Sequence, residues 1–277
     1  MGSRVGNSRE QRRGRLRTFR LEGFLWRKSS PSIKRNICYG KLIVNYSIFE
    51  GHWRFSEIVI FKKVEWKKYA PLLLMLVFPI LGSMYAWTNN IDNQAVHSLV
   101  TPIDKAIPVV KAFALPYSIW IFYIYVCLVY FFKKDVHVYY RALLTYVVCA
   151  LSCYVIYSVF QTTVPRPSVT GDDPFSMILR YIYHRDQPFN CFPSIHCFSS
   201  YMVMRTIWTS SFRNKLNATL ITGMSSLIIL STLFVKQHVI LDVFSAILLV
   251  EAVHACLVWI ERKRRISRSR QQGTIEA

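Results

Sequence analysis

The sequence predicts an all-α polytopic membrane protein, a bundle of six membrane-spanning helices. Three observations lead there. Of the 277 residues, 52% are hydrophobic and 15% aromatic, and the mean hydropathy is +0.25. The formal net charge is nevertheless +20, which in a disordered or purely nucleic-acid-binding chain would accompany few apolar residues. The charge is also segregated: residues 1–69 hold 17 Lys and Arg against 5 acids, residues 261–277 hold 6 against 2, and residues 70–260 hold 12 against 8. Basic ends around a nearly neutral apolar block are the pattern of a membrane protein with both termini in the cytosol.

Six apolar stretches reach or approach the ~20 residues that a crossing helix needs. They cover 70–87, 112–132, 140–160, 195–211, 217–236 and 239–260. Pro79 and Gly82 lie in the first, where neighbouring helices can satisfy a locally broken backbone. Arg205 interrupts the fourth. No alternation of apolar and polar residues runs through these stretches, and an open sheet cannot cross lipid, so helices are expected in all six. The connectors 133–141 and 212–216 are basic, carrying Lys133, Lys134, Arg141, Arg213 and Lys215. With the two ends they place 28 of the 35 Lys and Arg on one side and six on the other, which makes the first side cytosolic.

Three regions follow. Residues 1–69 read as a basic cytosolic segment, with an Arg- and Ser-rich structureless tail over the first 40. Next comes a stretch in which Trp53, Phe55, Phe61 and Trp66 mix with Lys62, Lys63, Lys67 and Lys68. Such a stretch is expected to lie on the inner leaflet, attracted by anionic lipids; nucleic acid is not an expected partner. Residues 70–260 form the six-span domain, and 261–277 a second basic cytosolic tail. No cleavable leader is expected, because the first apolar run begins near Ala70. The seven cysteines have no zinc-ligand spacing, and Cys191 and Cys197 are read as free thiols. The chain is expected in the plasma membrane; its oligomeric state is not legible.

The chemistry gathers at the non-cytosolic ends of the spans. Val164-Pro165-Arg166-Pro167 follows the third span, and Phe192-Pro193-Ser194-Ile195-His196 opens the fourth. Ser231-Thr232 and Lys236-Gln237-His238 close the fifth, and Asp242 starts the sixth. His196 and His238 are 42 residues apart, room for one crossing of ~20 residues and one return. Arg166 and His196 are joined by a loop that does not cross. All three motifs therefore reach one membrane face.

These groups suit phosphoryl transfer. His238 and Asp242 are i and i+4, so a carboxylate can hold Nδ1 and aim Nε2 outward as a nucleophile. Ser194 is a good N-cap, and the helix start behind it offers free N–H groups and a positive dipole end to a phosphate. His196, in the first turn, is placed to protonate a leaving alkoxide. Arg166 offers a bidentate clamp for phosphate oxygens. No metal or other cofactor is needed, since cations and the helix dipole neutralise the charge and the carboxylates are too few for a metal cage.

The order Arg-Pro, Pro-Ser-x-His, then Ser-x6-His-x3-Asp resembles the type 2 phosphatidic acid phosphatase (PAP2) superfamily over roughly residues 70–260. That resemblance implies a six-span, metal-independent lipid phosphate phosphatase. It makes His238 the nucleophile that becomes phosphorylated, Asp242 its orienter, His196 the general acid, and Arg166 and Ser194 phosphate ligands. Two departures stand out: the family's Lys seven residues before the Arg is Val159 here, and its Arg after the Ser is Thr232. Lys236, one helical turn beyond Thr232, is the expected substitute clamp. The segment 186–196 with Ser231-Thr232 is nearest the inositol phosphorylceramide synthase-like branch, which passes the phosphoryl group to an alcohol. A phosphotransferase and a non-catalytic membrane protein thus stay open beside the phosphatase. The lipid substrate itself is not specified.

Arg205 lies nine residues past His196 and Glu251 nine past Asp242. At 1.5 Å per residue both fall ~13.5 Å below the site layer. Isolated ions are costly there, so an Arg205–Glu251 ion pair is expected between the two helices that carry the motifs.

Overall fold

The computed structural model describes residues 18–19, 33–39, 42–49, 52–60, 66–88 and 95–275, with side chains described over 67–88 and 95–263. The chain divides into two compact units, Met1–Tyr69 and Ala70–Ala277.

The first unit differs from the sequence expectation. Strands β1 (Thr18–Phe19), β2 (Ile33–Tyr39), β3 (Leu42–Phe49) and β4 (His52–Ile60) form an antiparallel sheet in the order β1-β4-β3-β2, and α1 spans Trp66–Tyr69. Tyr39 pairs with Leu42 and Phe49 with His52, so each connection is two residues long. The segments between are rich in β-branched and aromatic residues. Reading this stretch by its charge concealed a strand pattern. The expected structureless tail falls largely outside the described residues, and so do the side chains of Trp53, Phe55, Phe61 and Trp66.

The second unit is mostly helical: α2 (Val77–Thr88), α3 (Pro102–Ala106), α4 (Ala114–Ser118), α5 (Trp120–Lys134), α6 (Val136–Val159), α7 (Pro174–Arg185), α8 (Ile195–Thr209), α9 (Lys215–Phe234) and α10 (Ile240–Ile275). Among the described residues five helical stretches are long and apolar enough to cross a membrane: Lys67–Thr88, Lys111–Lys134, Val136–Val159, Lys215–Phe234 and Ile240–Lys263. Their starts are chemically marked. The Asp135 carboxylate accepts from the His137 amide at 2.8 Å and opens α6. Asn214 and Asn217 bond reciprocally at 2.9 and 2.8 Å to open α9.

The fourth expected span is the exception. Helix α8 has 15 residues, or about 22 Å of rise, and does not belong with the five. It packs against α5, α6, α9 and α10, with Phe198, Met202, Val203 and Ile207 buried. A helix faced by protein on so many sides needs less hydrophobicity than one facing lipid. The C-terminal tail also differs from expectation: α10 continues to Ile275, because residues 261–272 contain neither Gly nor Pro and are rich in Arg, Lys, Glu and Gln.

Two short elements complete this unit. Strands β5 (Val96–Ser98) and β6 (Gln161–Thr163) pair in parallel, and a bridge from Thr163 to Phe189 ties in the segment before α8. At the far end of the bundle Arg205 Nε donates to Glu251 Oε1 at 2.8 Å, and the Tyr201 hydroxyl donates to the same oxygen at 2.6 Å. The pair joins α8 to α10 and leaves neither charge isolated.

Arg205→Met, Glu251→Leu and the double variant should form a thermodynamic cycle with a coupling of roughly 1–2 kcal/mol. Thermal unfolding in detergent measures it, and the double variant should be more stable than either single one.

Candidate active site

The expected residues converge where α9 ends and α8 and α10 begin. His238 lies in the short link between α9 and α10 and is buried. Its Nδ1 is 3.0 Å from the Cys191 carbonyl oxygen and 3.3 Å from Asp242 Oδ2. A carbonyl can only accept, so in this contact Nδ1 carries a proton. The Val239 amide donates to Asp242 Oδ2 at 3.0 Å and holds that carboxylate in place. Asp242 is fully buried, and its Oδ1 has no hydrogen-bond partner among the described residues.

Cys191 is itself held. The Thr162 hydroxyl accepts from the amides of Cys191 and Phe192 at 3.1 and 2.9 Å, so β6 fixes the carbonyl that meets His238. Cys191 and Cys197 are both free and buried, and burial pushes the Cys191 thiol up. Ser194 caps α8: its hydroxyl oxygen accepts from the Cys197 amide at 3.2 Å, and the residue is fully buried.

His196, in the first turn of α8, lies with its ring centroid 5.7 Å from that of His238. It is held by aromatic faces: Tyr117 stacks on it at 4.4 Å and Trp120 tilts against it at 4.1 Å. Trp120 is anchored by its indole N–H, which donates to Ser199 Oγ at 2.7 Å. Tyr117 is anchored by its hydroxyl, which donates to Asp186.

Arg166 lies over the Tyr183 ring at 4.9 Å and donates to the Tyr183 carbonyl at 3.0 Å and to Gln237 Oε1. Arg166 Nε and Gln237 Nε2 are buried donors with no acceptor among the described residues. Two such donors on touching side chains, in the residue next to His238 and its partner, are suited to an anion's oxygens. Lys236 takes a left-handed backbone (φ 54°) just past the end of α9, where glycine is usual. Its Nζ donates to the Asp104 carbonyl at 2.7 Å.

His238 forms part of the wall of two cavities. One, of about 500 Å³, is lined by His196, Gln237 and residues of α2, α5 and α6 such as Tyr85, Trp120 and Tyr157. The other, of about 480 Å³, is lined by Arg166, Lys236, Lys105 and Asp104 together with the histidine. The two positions where cations were missing from the expected motifs are filled otherwise. Thr232 is fully buried, with its hydroxyl 3.5 Å from Cys197 Sγ, and Val159 is exposed and lines neither cavity.

Several site residues carry no motif: the Cys191 carbonyl, Gln237, Tyr117, Trp120, Asp186 and Asp104. Only Asp104 had a readable signal, the Thr101-Pro102-x-Asp104 capping box that opens α3. Its carboxylate also accepts from the Ile240 amide at 2.8 Å and so clamps the start of α10. Comparison of the chain with protein-family models, curated proteins and solved structures gives no match.

Burial alone would raise the Asp104 carboxyl, but hydrogen bonds from Thr101 and Ile240, with Lys236 nearby, hold it below the ordinary Asp value. A depressed carboxyl stabilises the fold fully above its unfolded pKa and loses that contribution as pH falls through the folded one. Thermal unfolding of the wild type should therefore weaken below about pH 4 by more than that of Asp104→Asn. At pH 7 Asp104→Ala should cost on the order of 1–2 kcal/mol.

Proposed function

We propose that this chain is a metal-independent lipid phosphate phosphatase of PAP2 type that works through a phosphohistidine. The observation that carries the proposal is the proton on His238 Nδ1, shared between the Cys191 carbonyl and Asp242, which leaves Nε2 as a buried nucleophile beside a second histidine. In the first step Nε2 attacks phosphorus, the P–O bond to the lipid breaks, and the leaving alkoxide takes a proton from His196 as imidazolium. In the second step neutral His196 takes a proton from water, the water oxygen bonds to phosphorus, the N–P bond breaks, and phosphate leaves. Arg166, Gln237 and Lys236 supply the charge and donors for the phosphoryl oxygens, and the N-terminus of α8, capped by Ser194, adds its dipole.

The same reading makes α8 the fourth of six spans. The distribution of Lys and Arg supports cytosolic termini, a site on the outer face and inner-leaflet contacts for the basic N-terminal unit. A phosphotransferase of the inositol phosphorylceramide synthase type is the second reading.

Purified protein given a panel of lipid phosphates should release phosphate equally with and without EDTA. His238→Ala should abolish both turnover and an acid-labile, alkali-stable phosphoenzyme. Asp242→Asn should lower kcat by on the order of 10³–10⁴. Phosphate release that requires an added alcohol would select the transferase, and turnover by His238→Ala would end both readings.

Lys236→Ala should raise KM for the lipid phosphate about tenfold or more, as loss of a charge-assisted contact does. Unchanged kcat and KM would remove Lys236 from the site.

A further inference from the structure

The two cavities that meet His238 differ in charge, and His238 is the one described residue that lines both. The aromatic cavity extends to Phe78 and Tyr146, buried on α2 and α6, and its charged lining residues besides the histidines are Arg185 and Asp186, one of each sign. The cation-lined cavity has Lys105, Arg166 and Lys236 against the single carboxylate of Asp104. Lys105, Val109, Pro165 and Pro167 are exposed, so this second cavity opens at the surface of the unit.

The positive charge there is only partly compensated. The Asp104 carboxylate is taken up by its own helix and the next: it accepts from the Thr101 amide at 2.9 Å, the Thr101 hydroxyl at 2.5 Å and the Ile240 amide at 2.8 Å. Lys236 reaches the Asp104 carbonyl instead of the carboxylate. Among the described residues none of the three cations forms an ion pair. Counting the Asp104 charge in full, three cations against one carboxylate leave two positive charges besides His238. A phosphate with about two negative charges is the matching ligand. Such an ion loses its hydration among apolar and aromatic side chains, whereas an open cleft of one sign concentrates it. A lipid alcohol has the opposite preference.

We propose that the cation-lined cavity binds inorganic phosphate and is the way by which that product leaves, with Lys105 as its outer cation. The direction of traffic rests on the phosphatase reading; the anion site does not. Arg166 and Lys236 meet the phosphoryl group while it is bonded to the substrate or to His238. Lys105, which belongs to no motif and lies on α3, meets it after the N–P bond has broken. The same oxyanion chemistry has two sources, the phosphoryl group of a bound lipid and the free ion, and Lys105 is assigned to the second.

The test is a titration of inorganic phosphate into His238→Ala protein in detergent, where no phosphoenzyme can form. Binding is read from the rise in melting temperature over that in potassium chloride of equal ionic strength, and it should saturate. Adding Lys105→Ala should raise the half-saturating phosphate concentration about fivefold, and Lys105→Arg should restore it. The difference should shrink at high salt, because an exposed charge is screened. In the protein with His238 intact, Lys105→Ala should raise the Ki of added phosphate by a similar factor and leave kcat and KM for the lipid phosphate within about twofold. Absence of saturable phosphate binding, or binding that Lys105→Ala leaves unchanged, would overturn the proposal. A rise in lipid KM as large as the rise in Ki would place Lys105 at the lipid headgroup and overturn the exit route. Lys105-dependent phosphate binding in a protein that forms no phosphoenzyme would refute the phosphohistidine reading and leave the anion site standing. A phosphoenzyme without that binding would do the reverse.

Discussion

The proton between His238 Nδ1, the Cys191 carbonyl and Asp242 is the point on which the arrangement of this protein turns. It needs three pieces of backbone at one level: the segment before α8, the link from α9 to α10, and the first turn of α10. Thr162 on β6 holds the first, the αL turn at Lys236 shapes the second, and Asp104 bonds the amide that begins the third. A buried, incompletely bonded Asp242 is costly, and the fold accepts that cost where it orients an imidazole.

A division of labour around the two histidines follows from how each is held. His238 is fixed by hydrogen bonds, which orient its ring. His196 is fixed by ring contacts with Tyr117 and Trp120, which set its plane. His238 lies in the wall of both cavities, one rich in aromatic side chains and the other lined by Arg166, Lys105 and Lys236.

Much of this was readable before any coordinates. The closeness of the His238 and Asp242 side chains could be read from their spacing of four residues, although His238 itself lies in the link before α10. The Arg205–Glu251 pair could be read in the same way, from positions nine residues past His196 and Asp242, and the two side chains meet at 2.8 Å. Helix starts at Asp135, Asn214 and Ser194 carried their own caps. The N-terminal strands had a signal too, in their β-branched and aromatic residues, but the basic charge of that stretch was the louder one. Helix α8 was harder, because its polarity is set by the protein around it and not by lipid.

Sequence alone determined the segregation of charge, the apolar helices and the layer at which their reactive side chains meet, since these depend on local periodicity and chain length. Tertiary structure alone decided which nitrogen of His238 meets the Cys191 carbonyl, which aromatic faces enclose His196, and that the Tyr117 hydroxyl bonds Asp186. A backbone carbonyl such as that of Cys191 has no side-chain signature. A partner such as Tyr117, 69 residues from Asp186 along the chain, becomes one only when long-range packing brings it there.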